Sequence, residues 1–127
     1  MLPPQEDIKE RMEVWEAMEV FWLDTDPYIF FDRSVRTCAN SKYSFDELKL
    51  IFKFEVHPAL IFNLLDIAGE WCGFHPDFLR ERILEKHKFG SKLKTLDKMS
   101  YKQFKLEEDL EKLISSVRNI REKSKAT

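Results

Sequence analysis

Apolar residues along this chain recur at three- and four-residue intervals, and short polar or proline-bearing segments interrupt them, so the pattern is helical from end to end. From about Glu6 to Leu23, Ile8, Met12, Trp15, Met18 and Trp22 share one helical face, while Glu6, Glu10, Glu13 and Glu16 fall on the other. Asp24-Thr25-Asp26-Pro27 ends that helix and opens the next. Asp26 suits the N-cap, and Pro27 suits the first helical position, where its missing N–H costs nothing. The second helix carries Tyr28, Phe31, Val35 and Cys38 on one face and is expected to end near Asn40.

Tyr43-Ser44-Phe45-Asp46-Glu47-Leu48 is the sharpest local signal. Ser44 and Glu47 have the spacing of a capping box, and Tyr43 and Leu48 occupy the two positions of a hydrophobic staple. The third helix continues through Leu50, Ile51 and Phe54, and Pro58 predicts a break or kink at His57. A fourth helix is expected from Pro58 to Trp71. Leu60, Ile61, Phe62, Leu64, Leu65, Ile67, Ala68 and Trp71 cover most of its circumference, Asn63, Asp66 and Glu70 form a narrow polar strip, and Gly73 is the expected stop. His75-Pro76-Asp77 opens a fifth helix carrying Phe78, Leu79, Ile83 and Leu84. Residues 89–105 read as a lysine-rich linker. A last helix, about Phe104 to Glu122, places Leu106, Leu110, Leu113, Val117 and Ile120 on a seam of about two heptads, which favours docking on the bundle over a dimeric coiled coil. The expectation is an all-α fold, one domain over residues 1–127, built as a compact bundle of five or six helices around a central apolar helix at about 58–71.

Composition supports that picture. Three Gly and five Pro are too few for a many-turned β sandwich, and eleven Phe, three Trp and three Tyr supply a large core. Net charge is −2 but uneven: residues 1–37 hold nine acidic against four basic side chains, and residues 86–105 hold seven Lys against Asp97 alone. Such a sequence dipole steers charged partners if the fold keeps the two signs apart. Cys38 and Cys72 fit small buried hydrophobes and make no disulfide framework. The start, Met1-Leu2-Pro3-Pro4, has no signal-peptide pattern, and the apolar stretch 58–69 is interrupted by Asn63 and Asp66 and is too short to span a bilayer. A soluble cytoplasmic protein, monomeric or weakly dimeric, is expected.

Four constellations have chemical potential. Asp66 and Glu70, one turn apart with Glu55 in reach, have the type of a general acid–base pair or a hard-cation site, but equally form the wet strip of a buried helix. Cys72-x-x-His75 with His57 or His87 supplies zinc ligands by type, yet a structural zinc site shows two tight pairs and here there is one. Lys86 to Lys105, with Phe89, Tyr101 and Phe104, superficially suits nucleic acid, because cations neutralise phosphate and rings stack on bases. Finally, Glu10, Glu13 and Glu16 with Asp24 and Asp26 form an acidic face that is either plain solvent surface or a landing site for a basic protein. No nucleophile, oxyanion donor, cofactor motif or metal motif accompanies them, so no catalysis, cofactor or metal is expected.

The segments Val14–Ala17, Phe21–Thr25, Tyr43–Leu48, Glu55–Pro58 and Asn63-Leu64-Leu65-Asp66-Ile67-Ala68-Gly69-Glu70-Trp71-Cys72-Gly73-Phe74 occur in that order. Together they resemble a family of small bacterial proteins of uncharacterised function with a shared "NLL..AGEW.GF" core. The resemblance covers roughly residues 8–85 and leaves the lysine-rich stretch and last helix outside it. It implies a helical fold and no activity, and the motif itself reads mainly as core. In size and compactness such proteins are similar to immunity proteins, which bind and neutralise toxin domains, including those of contact-dependent inhibition systems. A protein partner follows from that similarity: a toxin domain, for which the acidic face would suit a basic nuclease. A nucleic-acid adaptor using the lysine-rich segment is the alternative, and an enzyme built on Asp66 and Glu70 stands third.

Overall fold

The computed structural model describes residues 1–66, 69–87 and 95–126, and every regular element among them is helical. Helix α1 (Ile8–Met18) runs on through a 3-10 turn, Glu19–Trp22. A short 3-10 turn at Pro27–Ile29 leads into α2 (Phe31–Ala39), and Asp26 caps that turn by accepting from the Tyr28 amide. Helices α3 (Phe45–Leu50) and α4 (His57–Leu65) are joined without interruption by a π-helical stretch, Ile51–Val56. Then come α5 (Pro76–His87), α6 (Thr95–Gln103) and α7 (Leu106–Ala126). Helix α1 packs on α2 and α5, α7 lies along α2 and α3, and α4 is held among the 3-10 turn after α1, α5 and α6.

Several elements follow from local chemistry. The Ser44 side chain accepts from the Glu47 amide at 3.1 Å while Glu47 accepts from the Ser44 amide at 2.9 Å, closing the expected capping box, and Tyr43 and Leu48 are both buried. The α7 seam Leu106, Leu110, Leu113 and Val117 is buried against the bundle, with Ile120 packed at its edge. Arg121 fastens this helix to its neighbour. It donates to the carbonyls of Cys38, Ala39, Ser41 and Tyr43 at 2.7–3.2 Å, placing a cation at the negative end of α2.

Pro58 does not break the chain as expected. Val56 and His57 both keep right-handed helical angles, and the π turn before them provides the adjustment. A proline removes one ladder donor and strikes the carbonyl four residues back, and a widened turn relieves both. His57, fully buried one residue earlier, is a crossing point. Its Nδ1 accepts from Trp22 Nε1 at 3.0 Å, and its Nε2 lies 2.8 Å from the Asp97 carbonyl oxygen.

A second buried polar hub joins α1 to the π turn. Arg11 donates from Nε and Nη2 to the two Glu55 oxygens at 2.9 and 2.7 Å, and Trp15 Nε1 donates to the same carboxylate at 2.9 Å. Asp7 extends the network, accepting from Arg11 and Lys42 and from the Tyr43 hydroxyl. A buried charge pair is tolerated only when its hydrogen bonds are filled in this way.

Three expectations are corrected. The central helix ends at Leu65, not Trp71: Asp66 is extended (φ −87°, ψ 140°), and Trp71 is 65% exposed instead of buried. Ile67 and Ala68, expected inward on that helix, lie outside the described residues. Cys38 is buried as expected but Cys72 is exposed. Within the supposed 89–105 linker, residues 95–103 are α6, with Ser100 and Tyr101 buried, and residues 89–94 are outside the described set. The lysine count concealed that helix's inward face.

Candidate functional site

The motif expected to be helical core is instead a clasped loop. Asn63, buried near the end of α4, donates from Nδ2 to the Trp22 carbonyl at 2.8 Å and to the Glu70 carbonyl at 2.9 Å. Its Oδ1 accepts from the Glu70 amide at 2.8 Å. The Glu70 carbonyl also receives the Asp24 amide at 2.8 Å, tying the loop to the end of the 3-10 turn. Gly69 is required for this approach, because a Cβ there would sit 2.5 Å from the Asn63 carbonyl oxygen. The Glu70 carboxylate accepts from the Trp71 and Cys72 amides at 3.2 and 3.1 Å, and Gly73 turns the chain at φ +117°, a conformation open to glycine. Phe74 then packs on Phe62 and stacks on Phe78. The fixed backbone leaves the Trp71 ring in solvent.

Beside this loop a groove of about 560 Å³ runs between α1 and α2. Glu13, Glu16 and Glu19 line it from the first helix and its 3-10 extension, Arg33, Ser34 and Thr37 from α2, and Cys72 from the loop. The volume lies in the range of small-ligand clefts, and the lining mixes these charged and polar side chains with Ala17, Val20, Leu23 and Phe30. Glu13, Glu16 and Arg33 are exposed and make no ion pair or hydrogen bond among the described residues.

Glu19 differs from its neighbours. It sits where α1 tightens into the 3-10 turn, at 9% exposure, beneath the Gly73–Phe74 stretch of the loop. Its Oε2 has no hydrogen-bond partner. A Cβ added at Gly73 would lie 3.0 Å from Oε1, so the loop passes directly over this carboxyl. Burial pushes the Glu19 carboxyl up to about 7, the nearby Phe74 amide opposes the rise, and Glu16 adds to it. A buried acceptor without a donor costs about 1–3 kcal/mol.

The structure divides the acidic residues read from the sequence. Glu13 and Glu16 line the groove; Glu10 stands off it, 3.5 Å from Lys42 Nζ. Asp24 and Asp26 are exposed, and Asp26 is a turn cap. Asp66 and Glu70 are not one turn apart on a helix, since α4 ends before both, and Glu70 is occupied within its own loop. His57 has both ring nitrogens engaged, and among the described residues no group of three His, Cys, Asp or Glu side chains is arranged to hold a metal. Tyr101 is buried, with its hydroxyl on Glu107, and Phe104 packs against the core, so neither ring faces a bound base; Phe89 is outside the described residues. From sequence Asn63 reads only as part of a polar strip and Glu19 has no assigned role, although each is a polar residue interrupting an apolar run, Leu60–Leu65 and Met18–Leu23.

The family model described as "Domain of unknown function (DUF7079)" matches residues 9–120, and the chain belongs to that family. The match extends past residue 85, so α6 and most of α7 are family elements as well. No curated protein and no solved structure matches the chain.

Proposed function

We propose that this member of a family without an assigned role is a non-catalytic binding protein, cytoplasmic and of the immunity type, which neutralises a toxin domain by covering a basic surface on it. The observation that carries the reading is Trp71: a tryptophan held 65% exposed on a loop whose backbone is hydrogen-bonded at Glu70, Trp71 and Cys72. Binding hot spots are enriched in tryptophan, and a rigid aromatic anchor loses little conformational freedom on association. The next residue, Cys72, lines the groove whose other wall carries Glu13 and Glu16. An apolar anchor beside unpaired carboxylates suits a partner with an apolar patch rimmed by cations. The clasped loop also gives the Asn63–Phe74 segment a role that a buried helix would not need.

The test is protection from intoxication. The chain is expressed in a bacterial host together with each toxin domain encoded beside its gene. The reading expects restored growth with one of them, lost on Trp71→Ala while the variant stays folded. Growth inhibition that persists with every neighbouring domain, or protection indifferent to Trp71, contradicts it.

A further inference from the structure

Glu19 is buried without the partners that a charge needs. It is nine-tenths covered where α1 tightens into its 3-10 turn, and its Oε2 has no hydrogen-bond partner. Gly73 of the motif loop passes so close that an added Cβ would lie 3.0 Å from Oε1. The other charged or titratable groups of its groove are Glu13 and Glu16 on α1, Arg33 on α2 and Cys72 on the loop. Arg33 is exposed and makes no ion pair with Glu19 among the described residues. Groups on the other elements packed against α1 and its turn are occupied elsewhere. His57 of α4 is engaged by Trp22 and the Asp97 carbonyl, while on α5 Arg82 donates to the Ala59 carbonyl and Arg80 pairs with Asp77. In the loop, Glu70 accepts from the Trp71 and Cys72 amides, and His75 accepts from the Asp77 amide.

We propose that Glu19 is a proton-operated latch for the motif loop: protonated it holds the loop on α1, and ionised it drives the loop open, because only an open loop lets water reach the carboxylate. A charge left dry and unpaired is the costliest state available to it. The loop is the part that yields. Trp15, Met18 and Trp22 on the α1 side are fully buried, whereas Trp71 and Cys72 are exposed and Gly73 and Phe74 half-buried, and thinly packed segments open first. The Asn63 clasp pulls the other way, so ionisation raises how often the loop opens without abolishing its seated form. Trp71 rides on this loop, and the latch therefore sets how rigidly its ring is displayed.

In the open loop the carboxyl returns to its ordinary value of 4.5; in the seated loop burial pushes it up to about 7, against the nearby Phe74 amide and with help from Glu16. The seated loop holds the proton more tightly, so its extra stability is complete below about pH 4.5 and is lost as pH rises through about 7. Between pH 5 and 7.5 those two values raise the opening constant roughly fifty-fold.

The test is amide hydrogen exchange on the full, isotope-labelled chain, read by nuclear magnetic resonance as protection relative to an unstructured peptide. The Glu70 amide, held by Asn63 Oδ1, and the Asp24 amide, held by the Glu70 carbonyl, report the loop, while the Val14 and Trp15 amides of α1 report the bundle. The expected result is a loss of at least about tenfold in Glu70 and Asp24 protection from pH 5 to 7.5, following the midpoint of the Glu19 carboxyl carbon, with no such loss at Val14 and Trp15. Glu19→Gln, an uncharged stand-in for the protonated acid, should hold loop protection within about threefold over the same range. His75→Asn, which keeps an acceptor for the Asp77 amide, should leave the wild-type loss intact. Wild-type loop protection independent of pH, a loss shared equally by Val14 and Trp15, a loss that persists in Glu19→Gln, or one that disappears in His75→Asn would each overturn the latch. If Glu19→Gln does not fold, the wild type and His75→Asn decide. No partner enters the readout, so the latch stands or falls separately from the binding function.

Discussion

Replacing Asn63 by alanine should unfasten the motif loop, and the structure sets the size of the effect. The substitution removes two donated bonds, to the Trp22 and Glu70 carbonyls, and one accepted from the Glu70 amide, all between 2.8 and 2.9 Å. At about 1 kcal/mol net for each, the sum is about 3 kcal/mol. The Glu70 carbonyl keeps the Asp24 amide at 2.8 Å, which lowers the expected loss to about 2–3 kcal/mol. In melting temperature that is roughly 10 °C for a chain of this length. Asn63→Asp should be no better, because a carboxylate still accepts from the Glu70 amide but cannot donate to two carbonyls. The assay is urea unfolding by circular dichroism, with hydrogen exchange of the Glu70 amide read in parallel. A midpoint shift worth less than about 0.5 kcal/mol, with Glu70 still protected, would refute the clasp.

Trp71→Ala should change stability by less than about 0.5 kcal/mol, as surface changes do; a loss of several kcal/mol in urea would return Trp71 to the core. Arg121→Met should cost about 2–3 kcal/mol, since the Ala39, Ser41 and Tyr43 carbonyls lose the Arg121 donor while the Cys38 carbonyl keeps Ser41, and an unchanged urea midpoint would contradict that capping role. His57 is held below its ordinary value by burial, so the unfolded chain takes up its proton first as pH falls. This contribution is therefore complete above about pH 6.5 and is lost as pH drops through the folded value. Unfolding free energies measured at pH 7.5 and 5.0 should differ less in His57→Gln than in the wild type; equal differences would contradict the assignment.

What the sequence disclosed was local. The Ser44–Glu47 box and the α7 seam depend on residues within a few positions of one another and formed as read; Asp26 also caps, but a 3-10 turn ahead of α2 and not α2 itself. The end of α4 was obscured because Leu64, Leu65 and Trp71 keep helical spacing, while the decisive facts are non-local: Asn63 reaching Trp22, and Asp24 reaching Glu70. Gly69, inside the supposed helix, was the available sign of a close backbone approach. The Arg11–Glu55 pair joins residues 44 positions apart and leaves no periodic trace. Of the site, the outward Glu13 and Glu16 stripe was legible from helical phase alone, whereas Glu19 was not, because tightening into a 3-10 turn changes which side chains face inward.

On the proposed reading, the α1 wall of the groove serves binding and contributes little to the fold. Glu13→Lys combined with Glu16→Lys tests it most directly, with stability and association measured on the same protein. The urea midpoint should stay within about 0.5 kcal/mol of wild type. The on-rate for a toxin domain against which the chain protects should be at least about tenfold slower at low salt, with most of its salt dependence gone. Wild-type on-rates at low and high salt alike would contradict it.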